Sequence, residues 1–175
     1  MITKPYWGTT ASLPTFQSLD RDLQADVVVI GAGLTGITTA YLLKRGGAKV
    51  VLLDRQRCAG ADTGHTTAHL TYVTDKLLHE LVNDWGKDAA RSFWEAGSAA
   101  IDQIFDNARV ERIDCELKWV PGYLHARLER EHADDRETLE KDFQLARELG
   151  FKAENSFDEI VRIHIEEDRG GTFVN

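Results

Sequence analysis

The spacing of apolar residues along the chain switches between two periods. Residues 26–31, DVVVIG, are a short, almost unbroken β-branched run ending in glycine, which predicts a strand buried on both faces. From Leu34 to Arg45 the pattern becomes helical, with Ala40, Leu42 and Leu43 among the apolar positions, and Gly46 and Gly47 stop it. Lys49–Leu53, KVVLL, reads as a second buried strand. Strand, helix and strand within about 30 residues make a βαβ unit, so the two strands are expected to be parallel with a right-handed crossover.

The flanks are less regular. Residues 1–24 hold all but one of the prolines and read as an extended arm, with Tyr6, Trp7, Leu13 and Phe16 expected on the surface of the domain that follows. Residues 55–74 are polar and rich in Gly and Thr, as in a loop or the start of a helix. Two helices are predicted next. Asp75–Asp84 is short and ends near Gly86. Lys87–Asn107 is long, with Ala90, Phe93, Trp94, Gly97, Ile101, Ile104 and Phe105 in one stripe and Asp88, Arg91, Glu95, Asp102 and Asp106 opposite. Cys115–Ala126 (CELKWVPGYLHA) suggests two short strands around a Pro121-Gly122 turn. Arg136–Leu149 is a charged helix with Leu139, Phe143, Ala146 and Leu149 inward, closed by Gly150, and one more strand is expected in the remainder.

Composition narrows the function. The 175 residues are 42% hydrophobic and 29% charged, the balance of a globular chain. Lys plus Arg number 21 against 29 Asp plus Glu, a net charge of −8, which argues against nucleic acid as a partner. No apolar run approaches the ~20 residues of a membrane span, and MITKPYWGTT lacks the apolar stretch of a secretory signal. Cys58 and Cys115 form no CxxC and no Cys/His cluster, so no disulfide scaffold, zinc site or iron–sulfur site is signalled. The expectation is a cytoplasmic protein with reduced thiols and no membrane contact.

The chemistry concentrates in Gly31-Ala32-Gly33-Leu34-Thr35-Gly36, a GxGxxG that follows a predicted strand and opens a predicted helix. Gly31 permits the tight turn, Gly33 lets a pyrophosphate approach the backbone, and Gly36 lets the helix pack closely on the strand. The unpaired N–H groups near Leu34 and Thr35 face the phosphates, aided by the helix dipole. Asp54 ends the second strand, 18 residues past Gly36, where its carboxylate can accept hydrogen bonds from ribose hydroxyls. A 2′-phosphate would meet Asp54 unfavourably, although Arg55 and Arg57 complicate that argument. The fingerprint alone leaves NAD and FAD open. The Gly/Thr/His-rich stretch Gly60–Leu70, GADTGHTTAHL, favours FAD, because its hydroxyls and backbone donors can reach a pyrophosphate or a flavin.

Other constellations are weaker. His65 and His69 are four apart, but no third ligand is near, so no metal site is expected. Cys58 reads as a loop thiol and Cys115 as a small apolar residue. No GxSxG elbow supports triad hydrolysis, and no residue is singled out as a catalytic base.

Tyr6-Trp7, then DVVVIGAGLTGITTAYLLKRGGAKVVLLD, then GADTGHTTAHLT, resembles FAD-dependent oxidoreductases of the D-amino-acid oxidase and glycine oxidase type. The TGHTTAHLT stretch, with Ile113-Asp114-Cys115, is most similar to a subgroup of longer enzymes with a C-terminal Rieske domain. The resemblance implies that Gly31, Ala32, Gly33, Leu34, Thr35, Gly36, Asp54 and Arg55 contact the ADP half of FAD. Thr63, Gly64, His65, Thr66 and Thr67 are implied nearer the ribityl chain and ring. A similarly placed His joins FAD covalently in related dimethylglycine and sarcosine dehydrogenases, but there a Trp precedes it where this chain has Gly64.

The expected fold class is α/β: a Rossmann-like FAD/NAD(P)-binding domain with a parallel sheet, helical additions and the start of a second, substrate domain. The expected division is an arm at 1–24, an FAD-binding region at 25–126, and a helix with an incomplete second-domain segment at 127–175. The implied activity is hydride transfer from a C–N bond of a small amine or amino acid to flavin. Family members are considerably longer, and this chain has no CxH pair for a Rieske cluster, so it looks like an N-terminal part needing further chain, with self-association or a complementary chain expected. Two other readings stay open: a non-catalytic dinucleotide-binding or interaction module, and the NAD-binding domain of another enzyme.

Overall fold

The computed structural model describes residues 5–125, 133–156 and 160–162, which fall into two units, Met1–Thr67 and Ala68–Asn175. In the first unit, β1 (Val27–Ile30) and β2 (Val50–Leu53) pair in parallel, Val27 opposite Val50 and Ile30 opposite Leu53. Between them runs α2 (Leu34–Arg45), the helix its spacing predicts. Its end is a Schellman turn: Ala48 N–H donates to Leu43 O at 3.1 Å and Gly47 N–H to Lys44 O at 3.0 Å, with Gly47 at φ +93°. Helix α2 packs on the face of β1 that carries Val29, 3.6 Å from where a Cβ on Gly36 would lie.

The β1 strand departs from expectation. It was predicted to be buried on both faces, but Val28 is 55% and Ile30 85% exposed. Alternation along a strand puts these two on the face away from Val29, and among the described residues only the α2 side of β1 is covered. The arm also differs. Residues 11–24 are exposed and without helix or strand, Leu13 and Phe16 among them, but Trp7–Thr10 forms a short helix, α1.

The second unit is built on helices. α3 (Leu78–Trp85) and α4 (Lys87–Val110) are separated by Gly86 at φ +83°, a conformation that a residue with a side chain rarely adopts. The stripe predicted on the long helix is the face that packs. Ala90, Trp94 and Ile101 are buried, Trp94 at 1% exposure, while Phe93 turns outward against Trp85. At Gly97 the helix comes so close to the preceding segment that a Cβ would lie 2.6 Å from Tyr72 Cβ. The ring of Tyr72 packs against Trp94 and Phe151, and burial raises its phenol pKa, so it stays neutral. α5 (Ala133–Glu148) adds Leu139, Phe143 and Ala146 to this core.

Helix α3 begins at Leu78, later than Asp75, because its first amides are capped from elsewhere. Glu80 Oε2 accepts Leu77 N–H at 2.8 Å. Asp142, on α5 and almost fully buried, accepts Leu78 N–H at 2.8 Å and His79 N–H at 3.1 Å, and the His79 ring also pairs with it.

The strands expected around Pro121-Gly122 are a correction. Residues 115–123 contain no strand, and Ala126 lies outside the described residues. Instead β3 (Leu124–His125) pairs antiparallel with β5 (Ile160–Arg162), and β5 pairs antiparallel with β4 (Glu154–Ser156), in the order β3-β5-β4. The Pro-Gly pair therefore leads into a strand whose partner is distant in sequence, which local turn chemistry does not signal. Among the described residues two strands, rather than one, follow α5. Among the described residues no helix is long and apolar enough to cross a membrane.

Candidate functional site

The glycine turn joins β1 to α2. Gly31 has φ +99°, in the region that glycine alone adopts freely, and its N–H continues the ladder to Leu53 O at 2.7 Å. A Cβ on Gly36 would overlap Gly31 O at 1.8 Å, so the helix meets the turn only because Gly36 has no side chain. Ala32, 2% exposed, is tied on both sides. Its N–H donates to Asp54 Oδ2 at 2.7 Å, and its carbonyl accepts Ala59 N–H at 2.8 Å. Gly33 is the N-cap residue of α2 and supplies no side-chain cap. Leu34 N–H donates instead to Thr63 Oγ1 at 3.0 Å, and a Cβ on Gly33 would lie 3.2 Å from that same oxygen. Thr35 is exposed in the first turn of α2.

Asp54 follows β2 directly. Besides Ala32, it accepts Gln56 N–H on Oδ1 at 2.7 Å. These two backbone donors, Ala32 first, hold its carboxyl below the usual aspartate range, with a smaller contribution from Arg55. The carboxylate is exposed and anionic, so lone pairs remain for further donors.

The segment that follows folds back on the turn. Asp62–His65 is a single 3-10 turn in which Gly64 N–H donates to Ala61 O at 3.0 Å. A Cβ on Gly64 would lie 2.7 Å from Ala59 O. His65 Nδ1 bonds the Ala61 carbonyl at 3.0 Å. Thr66 is extended and its carbonyl accepts the indole N–H of Trp7 at 2.7 Å; Thr67 is exposed and ends the unit. His65 and His69, four apart, do not share a helical face, because the chain leaves the 3-10 turn at Thr66. Among the described residues no group of three or more His, Cys, Asp or Glu could hold a metal ion.

The structure thus brings Gly31–Gly36, Asp54 and Thr63 into one hydrogen-bonded constellation, with Gly64 and His65 in the turn that carries Thr63 and Thr66 directly after it. Three contributors were not placed in the site from sequence, although Tyr6-Trp7 was part of the family resemblance. Gln56 acts through its backbone, Ala59 does so from a left-handed conformation (φ +54°), and Trp7 lies 59 residues from its acceptor. None carries a local signal, since any residue supplies an amide and the arm shows no pattern linking it to the turn.

A parallel βαβ unit, a glycine turn at the amino end of its helix and an acid closing the second strand define a dinucleotide-binding domain. The chain belongs to the DAO family of FAD-dependent oxidoreductases, whose model matches residues 26–173, and FAD is the cofactor of that family. It is 40% identical over 120 residues to "Putative Rieske 2Fe-2S iron-sulfur protein YhfW" of Bacillus subtilis, across 69% of this chain and 24% of that protein. It is 26% identical over 123 residues to gamma-glutamylputrescine oxidoreductase of Escherichia coli, across 70% of this chain and 28% of that one. A D-amino acid dehydrogenase of Methylobacterium is 48% identical over 42 residues, 24% of this chain and 10% of its own. The matched region is less than a third of each of these relatives. No solved structure matches the chain.

Proposed function

We propose that the chain binds FAD through the glycine turn and Asp54, and contributes that site to an oxidoreductase acting on a small amine or amino acid. The observation that carries this reading is the Gly31–Gly36 turn locked to Asp54 across two parallel strands. The start of α2 would hold the diphosphate, with the Leu34 N–H reaching it through the Thr63 hydroxyl. The Asp54 carboxylate, kept anionic by Ala32 and Gln56, would accept from the ribose hydroxyls. Arg55, Thr35 and the Thr63–Thr67 stretch would lie along the cofactor. Bound flavin supplies an acceptor for the hydride of a substrate C–N bond, and the protein supplies binding, orientation and exclusion of water.

The substrate class rests on the relatives whose names specify gamma-glutamylputrescine and D-amino acids. The groups that orient the substrate would lie in a substrate domain beginning near residue 127 and continuing in polypeptide outside these 175 residues, supplied by longer chain, a complementary chain or a second copy. Support for this is the small share of each relative that the chain matches.

Titration of the purified protein with FAD, NAD and NADP tests the cofactor assignment. Saturable FAD binding that exceeds NAD binding is expected; preference for NAD would point to a dinucleotide domain of another enzyme and overturn it. Gly33→Val, whose branches would crowd Thr63 and the approach to the turn, should lower FAD affinity at least about tenfold without unfolding the chain. Unchanged affinity contradicts the site. FAD binding with no bleaching of flavin absorbance by any amine or amino acid, even with the remaining family segments supplied, would mark a non-catalytic module.

A further inference from the structure

One residue far from the glycine turn in sequence is hydrogen-bonded to the segment that caps its helix. Trp7 Nε1 donates to Thr66 O at 2.7 Å, and α1, which carries Trp7, packs on the Asp62–His65 turn. That turn in turn delivers Thr63 Oγ1 to Leu34 N–H, the first amide of α2. Trp7 is itself buttressed by Tyr6, edge to face at 4.9 Å between ring centroids. Everything between Ala11 and Gln24 is exposed and without helix or strand. The arm is therefore anchored at its Trp7 end, on the segment that caps α2.

We propose that Trp7 is a positioning residue for the dinucleotide diphosphate, acting through Thr63; this rests on the reading that the glycine turn takes FAD. A hydroxyl accepts and donates at the same time. Thr63 Oγ1 accepts the Leu34 N–H and keeps its own proton to donate, so the partial positive charge of the helix terminus is passed on through one side chain. The relay depends on the height of the 62–66 turn, which Trp7 fixes from the Thr66 carbonyl. Fixing it before binding lowers the ordering cost that FAD would otherwise meet.

Four forms of the full 175-residue chain test this: wild type, Trp7→Phe, Thr63→Val and the double variant, with Thr63→Ser as the rescue. Each is titrated with FAD, melted without ligand, and followed by amide hydrogen exchange in the ligand-free state. Trp7→Phe keeps a ring against Tyr6 and removes the N–H. It should speed exchange at Leu34 and across 62–66, and lower FAD affinity about three- to tenfold, the scale of one hydrogen bond. Thr63→Val should do at least as much, and Thr63→Ser should restore binding. The double variant should be no weaker than Thr63→Val alone, because the tryptophan acts through the hydroxyl. If wild type fails to bind FAD, the functional reading falls, while the exchange data still judge the strap. If wild type binds and Trp7→Phe binds equally well, or the two losses multiply, the positioning role is wrong. A lowered melting midpoint with unchanged affinity and unchanged exchange at Leu34 also overturns it, leaving only a structural clasp.

Discussion

Asp54 makes the site a matter of protonation as well as shape. Both its oxygens accept backbone N–H groups, from Ala32 in the glycine turn and from Gln56, and these contacts depress its pKa. A depressed carboxylate contributes stability above its unfolded pKa, near 3.9, and loses that contribution as pH falls through the lower folded value. Thermal midpoints of wild type and Asp54→Asn, measured from pH 7 to pH 3, should therefore differ most at neutral pH. The gap should narrow below about pH 4. A constant gap across that range would show that the carboxylate does not hold the turn. The glycines around Asp54 were legible one by one, because each has a geometric job: Gly31 needs positive φ, and Gly36 meets Gly31 O. Thr63 was legible as a candidate but not as the cap of α2, since nothing in its spacing from Gly33 states which amide it meets.

Among the elements, those with a strong period were read well and those decided by distant partners were not. Helix α2 and the packing stripe of α4 follow from apolar spacing and glycine stops. The start of α3 does not, because its cap is Asp142, brought from α5 by tertiary packing. Likewise β3 pairs with β5, not across the Pro121-Gly122 turn, so the local turn signal misleads. Asp142 is the element-scale position most open to test. Asp142→Ala would leave the Leu78 and His79 amides without their acceptor in a buried setting, and should cost about 2–4 kcal/mol in chemical denaturation. Asp142→Asn retains an acceptor oxygen and should cost less. A loss below about 0.5 kcal/mol for the alanine variant would mean that solvent or local rearrangement replaces the cap.

At the scale of the whole molecule, the parallel pair is the feature that does not close on itself. Parallel strands occur almost only where both sheet faces are covered, yet α2 covers one face of β1 and leaves Val28 at 55% and Ile30 at 85% exposure. In β2, the half-buried Val51 and Leu53 stand opposite these residues in register, so the face is apolar across both strands. Burying apolar area is favourable by roughly 25 cal/mol per Å², so such a face attracts any available apolar surface. The outer edge of β1, unpaired among the described residues, adds a template for further strand pairing. Sedimentation or light scattering across a dilution series should therefore show wild type associating as concentration rises. The double variant Val28→Thr with Ile30→Lys should shift that transition to higher concentration. It leaves the Val27/Val29 face against α2 and the glycine turn intact, so FAD binding should persist. If wild type keeps one mass over the series, or the variant associates equally, this face is not the surface that drives assembly. Loss of association together with loss of FAD binding would instead mean that assembly and the cofactor site are coupled through β1.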